Sequence, residues 1–356
     1  MSKFKNKLIF EQKVTNVALE RYLVESIKEA GSVDVELVKM LEAVKKFVLR
    51  GGKRARSILV RSAYGLSGGT GGDEVLASLF AELMHLYILI HDDIADRDVV
   101  RYGGDTLQVM FEDQFKEIFD RENKHFGMSV AMVSGDLVQT LAHDVLLCSG
   151  FDAKRMVECE RLMVTTLKKV VTGWYLHQLQ NHQSIESVSE ERYLDGMRLV
   201  SSSYSFEMPL MLGVILGKGS EELRVNLKEY AYYTGMAFQI QDDILGVFGE
   251  SEVTGKPVGN DIREGKKTLL VLKLFERAGN KERRMLKEKL GSNVSDKDIR
   301  VIQKLIRESG SLGYSKKLAL ESVDKAKAAI NKVGDKSGDE VEFLANLAEF
   351  SVARDH

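Results

Sequence analysis

Apolar residues recur at three- and four-residue spacing along most of the chain, with charged residues between them. The segments VELVKMLEAVKKFVLR, LASLFAELMHLYILIHDD, AKRMVECERLMVTTLKKVV and DIRVIQKLIRESGSLGYSKKLALESVDKAKAAI show this period. It is the period of an amphipathic α-helix with one face toward a core. Strand-like alternation is nearly absent, and only Pro209 and Pro257 could interrupt helices. We therefore predict an all-α protein with long helices.

Loops rich in glycine and polar residues separate the predicted helices. They are GGKR at 51–54, SGGTGG at 67–72, RYGGDT at 101–106, FGESEVTGKPVGND at 248–261 and GSNVSD at 291–296. No internal repeat and no low-complexity linker divides the 356 residues, so we predict a single domain over residues 1–356. The more charged stretch at 111–127 is interpreted as a solvated helical turn, with a mobile connection near a site as the alternative.

Charge and cysteine usage narrow the class of protein. With 51 Lys and Arg against 53 Asp and Glu, the balance argues against nucleic-acid binding driven by bulk charge. Cys148 and Cys159 form no disulfide framework and no CxxC pattern, which favours a reducing compartment. No signal-peptide core and no uninterrupted apolar run of about 20 residues is seen. We expect a cytoplasmic protein without stable membrane insertion.

The segment LIHDDIADRD at 89–98 sets four aspartates into seven residues after an apolar run. At about 100° per residue, Asp92 and Asp96 share a helix face, with His85 two turns earlier. Asp93 and Asp98 point elsewhere. A solvated helix end is one interpretation. The other is a divalent-metal site, because two carboxylates one turn apart can bind Mg²⁺ and leave positions for water and phosphate oxygens.

A second acidic pair follows another apolar run, in FQIQDDILGVFGE at 238–250. Asp242 and Asp243 form the pair, and Gln239 shares a helix face with Asp242. Two such helices facing each other would hold several Mg²⁺ ions and a polyphosphate. Basic residues accompany these motifs, at Lys53, Arg54, Arg56, Arg101, Lys256, Lys266 and Lys267. Acids for Mg²⁺ and bases for phosphate together predict diphosphate chemistry.

The order of these motifs resembles that of the trans-isoprenyl diphosphate synthases, or polyprenyl synthetases. The resemblance covers nearly the whole chain and rests on GGKRAR, LIHDDIAD, HFGMSVAMVSGD, SYSFEMPLMLG, FQIQDDILGVFG and GKPVGNDIREGKKT. It implies an all-α bundle around a deep central cavity, usually as a homodimer, and three Mg²⁺ ions against an allylic diphosphate. It also implies head-to-tail 1′-4 condensation. The allylic diphosphate ionises to a carbocation, isopentenyl diphosphate attacks it, and the departing pyrophosphate takes the proton.

The resemblance also implies roles for individual residues. The Mg²⁺ ligands would be Asp92, Asp96 and Asp242, and Asp93 and Asp243 are counted with them as catalytic. The residues matching contacts to the diphosphate of isopentenyl diphosphate are Lys53, Arg56 and His85. Those matching contacts to the allylic diphosphate are Arg101, Gln239, Lys256 and Lys266, of which Lys256 is also counted as catalytic.

Several positions depart from the family pattern. Where the family has a second arginine this chain has Tyr102, and where the family has a Lys-Thr pair it has Val200-Ser201. Gly246 stands in place of a third aspartate. The family's Gly-Gln and Leu-Asp pairs are replaced by Gly173-Trp174 and Leu176-His177. Two of these changes remove positive charge from a diphosphate site, and each charge-assisted contact contributes about 1.5–3 kcal/mol. A weaker enzyme, an altered substrate or a poorly active subunit would follow.

Product length is predicted from the helix before Asp92. Helical geometry places Met84, Tyr87 and Ile88 on one stripe below the metal-binding face. The resemblance implies that an aromatic residue at Tyr87, fifth before the first aspartate, acts as a floor. A geranylgeranyl (C20) product of the archaeal type is therefore favoured over farnesyl (C15), although Tyr87 could be an ordinary core aromatic.

Three alternatives were weighed against this interpretation. An HD-type phosphohydrolase would use His91 and Asp92 but gives no role to Asp242. A terpene cyclase has no need of an isopentenyl diphosphate site, for which GGKRAR and His85 argue. A regulatory subunit of a heteromeric synthase is supported by Tyr102 and Val200, and the activity of the purified chain alone would discriminate it.

Overall fold

The computed structural model describes residues 2–116, 122–249, 258–292, 294–334 and 338–353, which are mostly helical. The α-helices in chain order are α1 Ser2–Gly31, α2 Val35–Leu49, α3 Ala55–Leu66, α4 Glu74–Ala95, α5 Leu107–Gln114, α6 Asn123–Leu147, α7 Ala153–His182, α8 Glu190–Met197, α9 Met208–Gly217, α10 Glu221–Phe248, α11 Asn260–Arg263, α12 Leu269–Arg277, α13 Asn280–Lys289, α14 Asp296–Glu308, α15 Ser311–Asn331 and α16 Gly338–Val352. A 3₁₀ turn spans Ile185–Ser187 and a π-helix spans Arg198–Glu207. Strands occur in the described ranges only as one antiparallel hairpin, β1 Val100–Arg101 and β2 Gly104–Asp105. The all-α prediction is confirmed.

Two compact units make up the chain. Unit 1 comprises Met1–Cys159 and Leu212–Gly219, and unit 2 comprises Glu160–Met211 and Ser220–His356. The first acidic motif lies in unit 1 and the second in unit 2. The single domain over 1–356, and the facing of the two acidic helices, stay predictions.

In unit 1, α4 is the central helix and packs on α3 and α6. Its residues 77–84 are all buried, because apolar residues occur all around this part of the helix. Asp73 begins the helix by accepting the Leu76 backbone N–H at 2.8 Å. A Cβ added at Gly135 of α6 would lie 2.5 Å from His91 Cε1, so the glycine allows α6 to approach α4 beside the acidic motif.

In unit 2, α10 is the central helix, as α4 is in unit 1. It packs on α15, α16 and the π-helix. Ser220 caps it by accepting the Leu223 backbone N–H at 3.1 Å. Ile240, Ile244 and Val247 at its end belong to a core shared with α12 and α14. Burial of this apolar face fixes the rotation of α10, and therefore which carboxylate of the acidic pair points inward.

The π-helix ends just before α9, whose second residue is Pro209. Proline lacks a backbone N–H and its ring clashes with the carbonyl four residues earlier in a regular α-helix. Wider π-turns relieve such crowding and are concentrated at functional sites. Helical periodicity alone did not predict this segment, which carries Val200 and Ser201.

Among the described residues, three helical stretches are long and apolar enough to cross a membrane, judged by length and composition only: Glu74–Ala95, Asn123–Leu147 and Glu190–Gly217. The sequence interpretation set such stretches aside because polar residues interrupt them. In the fold, 56%, 39% and 72% of their most apolar windows are buried. The expectations of no stable membrane insertion and of a cytoplasmic location stay predictions.

Candidate active site

The first acidic motif lies at the end of α4, where the two adjacent aspartates differ sharply in exposure. The side chain of Asp92 is 34% exposed and that of Asp93 is 3% exposed. Asp96 ends the helix, and its backbone N–H donates to the Asp92 carbonyl at 2.8 Å. Asp92 and Asp96 therefore lie one turn apart and partly exposed, as predicted, while Asp93 points into the protein.

Arg101 holds the buried Asp93. Its Nε donates to Asp93 Oδ1 at 2.8 Å, a second guanidinium nitrogen donates to the same oxygen, and that nitrogen also contacts Asp98 Oδ2 at 3.2 Å. Burial raises the pKa of Asp93 to about 6, although the Arg101 charge opposes this shift. The sequence interpretation assigned Arg101 to the allylic diphosphate. The structure places its guanidinium on Asp93 and Asp98, 4.0 Å from Asp92 Oδ2.

The β1–β2 hairpin brings Tyr102 onto the GGKR loop. Tyr102 and Gly103 form its two-residue turn with φ of +53° and +70°, the pattern of a type I′ turn. A Cβ added at Gly51 would lie 3.0 Å from Tyr102 Cγ, so the tyrosine side chain packs closely against this glycine. Arg50 fixes the hairpin by donating to the Asp105 carbonyl at 2.7 Å.

The predicted isopentenyl diphosphate residues converge around the start of α3. Glu82 of α4 is buried, and its Oε1 accepts the backbone N–H groups of Arg56 and Ser57 at 3.0 Å each. The Oε2 of Glu82 lies 3.8 Å from the buried Arg54 guanidinium, which donates to Asn16 and to the Val48 carbonyl. Glu82 thus orients the segment that carries Arg56, while Lys53 lies exposed just before it.

His85 lies one turn after Glu82 on α4. Burial lowers its pKa well below 6.5, and the nearby Arg56, Arg101 and Arg54 charges lower it further. His85 is therefore a neutral hydrogen-bonding group in the folded protein at neutral pH, close to several guanidinium groups.

The second acidic motif, at the end of α10, repeats the pattern of the first. Asp242 is half-buried, whereas Asp243 is buried. Tyr193 donates to Asp243 Oδ2, and Gln239 Nε2 donates to Asp243 Oδ1 at 2.9 Å. Burial and the neighbouring Asp261 charge raise the pKa of Asp243. The sequence interpretation grouped Gln239 with Asp242, but its amide lies one full turn before Asp243 and is held there.

Lys266 lies in the loop after α11, where Nζ contacts Asp261 Oδ1 at 3.1 Å and Glu264 Oε2 at 2.6 Å. A Cβ added at Gly246 would overlap the Asp261 carboxylate, so a carboxylate from α11 occupies the space beside Gly246. Lys267 turns away and donates to the Asn181 carbonyl at 2.5 Å. Lys256 lies outside the described residues.

The predicted floor residues lie on α4 as expected from helical geometry. Met84 is buried, whereas Tyr87 and Ile88 are half-buried. The Tyr87 ring packs edge-on against His91 with centroids 4.7 Å apart, and His91 Nε2 lies 3.4 Å from Asp136 Oδ1. Tyr87 therefore has a fixed neighbour on α4 itself.

Sequence interpretation missed Glu82 and Tyr193. Glu82 is the one charge in the apolar run from Leu76 to Ile90, and a charge in such a run signals a buried partner. Tyr193 gave no comparable signal, because an aromatic residue in a short amphipathic helix is usually a core residue.

Val200, one of the positions that depart from the family pattern, packs against Gly173. A Cβ added at Gly173 would lie 2.8 Å from Val200 Cγ2.

The donor set is suited to Mg²⁺. Within the described ranges, no three His, Cys, Asp or Glu side chains come together to hold a metal alone. Mg²⁺ prefers oxygen ligands and is commonly bound through one or two carboxylates plus waters and substrate phosphates. Asp92 and Asp96 on one helix end, and Asp242 on another, are carboxylates of that kind.

Comparisons with known proteins agree with this chemistry. The polyprenyl synthetase family model matches residues 38–308. A short chain isoprenyl diphosphate synthase of Methanothermobacter thermautotrophicus is 31% identical over 332 residues, covering 93% of this chain and 95% of that protein. A geranylfarnesyl diphosphate synthase of Aeropyrum pernix is 30% identical over 309 residues, covering 85% and 91%.

A solved structure shares the fold. The geranylgeranyl pyrophosphate synthase from Corynebacterium glutamicum, crystallised with isoprenyl diphosphate and magnesium, has a TM-score of 0.89 at 28% identity, covering 96% of this chain and 98% of that one. The resemblance inferred from the motifs is confirmed, and with it the isoprenyl synthase fold. The chain belongs to the polyprenyl synthetase family and is a short-chain trans-prenyl diphosphate synthase.

Proposed function

We propose that this enzyme condenses isopentenyl diphosphate with an allylic diphosphate, in a reaction dependent on three Mg²⁺ ions, to give geranylgeranyl diphosphate. One observation carries the site assignment. In each acidic pair the first aspartate is half-buried, and the second is buried and hydrogen-bonded by fixed neighbours. Two unrelated helix ends share this arrangement, which leaves Asp92 and Asp242 as the ligand-binding members.

The residues of the first unit support binding of isopentenyl diphosphate. Lys53 and Arg56 supply positive charge, and neutral His85 supplies a hydrogen bond to a phosphate oxygen. Glu82 keeps the backbone of Arg56 in place through the two hydrogen bonds at the start of α3. Preorganised donors stabilise phosphate charge without reorganising during the reaction.

The allylic diphosphate is proposed to be held at the acidic motifs. Asp92, Asp96 and Asp242 would bind Mg²⁺, which when bound neutralises charge on the diphosphate leaving group. Lys256, Lys266, Arg101 and Gln239 are assigned to the same diphosphate. Cleavage of the allylic C–O bond gives a carbocation, C4 of isopentenyl diphosphate adds to it, and the proton lost from C2 passes to pyrophosphate. An apolar surround excludes water from the cation.

The C20 product is proposed from Tyr87. Its aromatic ring packs against His91, next to Met84 and Ile88 on α4, where it can stop a growing chain. A geranylgeranyl synthase and a geranylfarnesyl synthase are both among the relatives, so residues of this stripe, rather than the family, would decide the length.

The enzyme is proposed to act as a homodimer. Val164, Val171 and Tyr175 of α7 are 49%, 54% and 65% exposed, and their spacing of seven and four residues puts them on one helix face. Such an apolar stripe on a water-soluble surface is typical of a helix–helix interface between subunits.

The test is a product assay with purified protein, Mg²⁺, labelled isopentenyl diphosphate and dimethylallyl, geranyl or farnesyl diphosphate in turn. We expect a C20 product that falls at least 100-fold in Asp92→Asn and in Asp242→Asn. Asp324→Asn, which changes an exposed aspartate of α15, is the matched control and should keep full activity.

Retention of Mg²⁺-dependent product formation in Asp242→Asn would contradict the assignment of Asp242 as a metal-binding residue. No product with any primer, from a folded protein, would instead favour the regulatory subunit suggested by Tyr102 and Val200.

A further inference from the structure

Tyr193 joins two elements of unit 2 through one hydroxyl group. It lies on α8, its side chain is buried, and its hydroxyl donates to Asp243 Oδ2 on α10. A single buried group therefore ties α8 to the acidic end of α10.

The other side of Asp243 is held just as firmly. Gln239 Nε2 donates to Asp243 Oδ1 at 2.9 Å, and Ser201 of the π-helix donates to Gln239 Oε1 at 2.5 Å. Each carboxylate oxygen of Asp243 thus accepts a hydrogen bond from a buried or half-buried donor. A network of this kind fixes the side-chain rotamer and, with it, the last turn of α10.

We infer that Tyr193 is a positioning residue for the second acidic motif: it locks Asp243 inward, so that Asp242 is presented to Mg²⁺-bound diphosphate. The inference rests on the proposed function. Burial and the Asp243 charge raise the pKa of Tyr193 well above 10, so the hydroxyl stays protonated and remains a donor. Removal of outer-shell residues that orient a metal site typically changes metal affinity or activity by 10–100-fold.

The test compares Tyr193→Phe with Tyr230→Phe. Tyr230 is a fully buried tyrosine of α10 whose hydroxyl donates to the Leu344 carbonyl at 2.8 Å, so both variants lose one buried hydroxyl hydrogen bond in unit 2. Three quantities are measured: Mg²⁺-dependent binding of inorganic pyrophosphate by calorimetry, the Mg²⁺ concentration for half-maximal rate, and the thermal midpoint.

We expect Tyr193→Phe to weaken Mg²⁺-dependent pyrophosphate binding and to raise the half-saturating Mg²⁺ concentration by about tenfold or more. Its KM for isopentenyl diphosphate should stay within about twofold, because Lys53, Arg56 and His85 are untouched. Ser201→Ala, which removes the donor to Gln239, should change the same Mg²⁺ dependence in the same direction by a smaller factor. Tyr230→Phe should lower the thermal midpoint without changing either Mg²⁺ quantity.

Equal effects of Tyr193→Phe and Tyr230→Phe on Mg²⁺ dependence would overturn the inference, since both would then reflect general loosening. If pyrophosphate binding is lost in Asp242→Asn yet unchanged in Tyr193→Phe, the inference fails and the proposed function stands. If the unmodified protein binds no pyrophosphate with Mg²⁺, the proposed function itself fails.

Discussion

At the scale of single residues, burial separates side chains of identical chemistry. Asp92 and Asp93 are neighbours, yet only Asp93 is enclosed and paired with Arg101. Asp242 and Asp243 divide in the same way, with Tyr193 and Gln239 as the partners of the buried member. A buried carboxylate that is held by fixed donors is poorly placed to exchange ligands, so metal binding is assigned to the first aspartate of each pair.

The half-buried His85 leads to a prediction about pH and stability. The pKa of His85 in the folded protein lies below 6.5, its ordinary value in the unfolded chain. At any pH between these two pKa values, the unfolded chain binds a proton that the folded chain does not. The free energy of unfolding should therefore fall as pH falls below about 6.5, by up to about 1.4 kcal/mol per pH unit from this residue. Denaturant unfolding of His85→Asn should lack this component, and His125→Asn, an exposed control, should retain it. Parallel pH profiles for wild type and His85→Asn would contradict the buried neutral state.

Tyr102 leads to a prediction about substrate binding. The ring lies on Gly51, and the charges of Arg56, Glu82 and Arg101 act on its hydroxyl. Tyr102→Arg adds a guanidinium group beside these charged side chains. Because one further charge-assisted contact to the diphosphate would form, the KM for isopentenyl diphosphate should fall about tenfold. The KM for the allylic substrate should not change. Val99→Arg, at a 61% exposed position nearby, controls for added charge alone, and the same fall there would refute the local explanation.

Tyr87 leads to a prediction about product length. Replacing its ring with a methyl group, in Tyr87→Ala, removes the bulk next to His91, and products should lengthen beyond C20 by one or more five-carbon units. Chromatography of dephosphorylated products checks this. Phe10→Ala, at an exposed aromatic residue of α1, should leave the product distribution unchanged. An unaltered distribution in Tyr87→Ala would show that Tyr87 is an ordinary core aromatic.

At the scale of elements, the start of α3 is built by a neighbouring helix. Glu82 of α4 accepts two backbone N–H groups there, which sequence rules assign to a local cap. The two acidic helices likewise end where apolar residues stop, but which residue of each pair faces inward is fixed by the packing partners of the helix. Periodicity sets the existence of each helix, and neighbouring elements set its rotation.

Glu82→Ala should therefore destabilise the protein by about 1–3 kcal/mol, because two amides and the Arg54 charge lose a buried partner. It should also raise the KM for isopentenyl diphosphate, since the Arg56 backbone is no longer held. Asp73→Ala removes the exposed cap of α4 and serves as a control that should cost about 1 kcal/mol with unchanged KM. Chemical denaturation and steady-state kinetics measure both effects. A KM change shared by both variants would point to global loosening instead of a local role.

At the scale of the whole molecule, the exposed apolar stripe of α7 predicts self-association. The purified chain should run in light scattering at twice its mass of 39.9 kDa. Val171→Glu places a charge in the middle of the stripe and should shift the protein toward the monomer, while Val225→Glu, at a similarly exposed valine of α10, should not. A monomeric wild type, or dissociation by both variants alike, would contradict the assignment of this face.

The amino-acid sequence by itself determined the helical class, the loops at 51–54 and 67–72, and the identity of the acidic and basic motifs. These depend on local periodicity, on glycine and proline, and on residue types in a fixed order, all of which can be read along one chain. The family followed from the same motifs.

The tertiary structure decided which group of each motif is enclosed and what holds it. Glu82 lies 26 residues from Arg56, and Tyr193 lies 50 residues from Asp243, so no spacing rule links them. Arg101 and Gln239 were assigned to substrate from the sequence, and the fold gives both a protein partner as well. Burial and long-range hydrogen bonding arise only when distant helices pack, because the free energy of enclosing a charge depends on every neighbour that surrounds it.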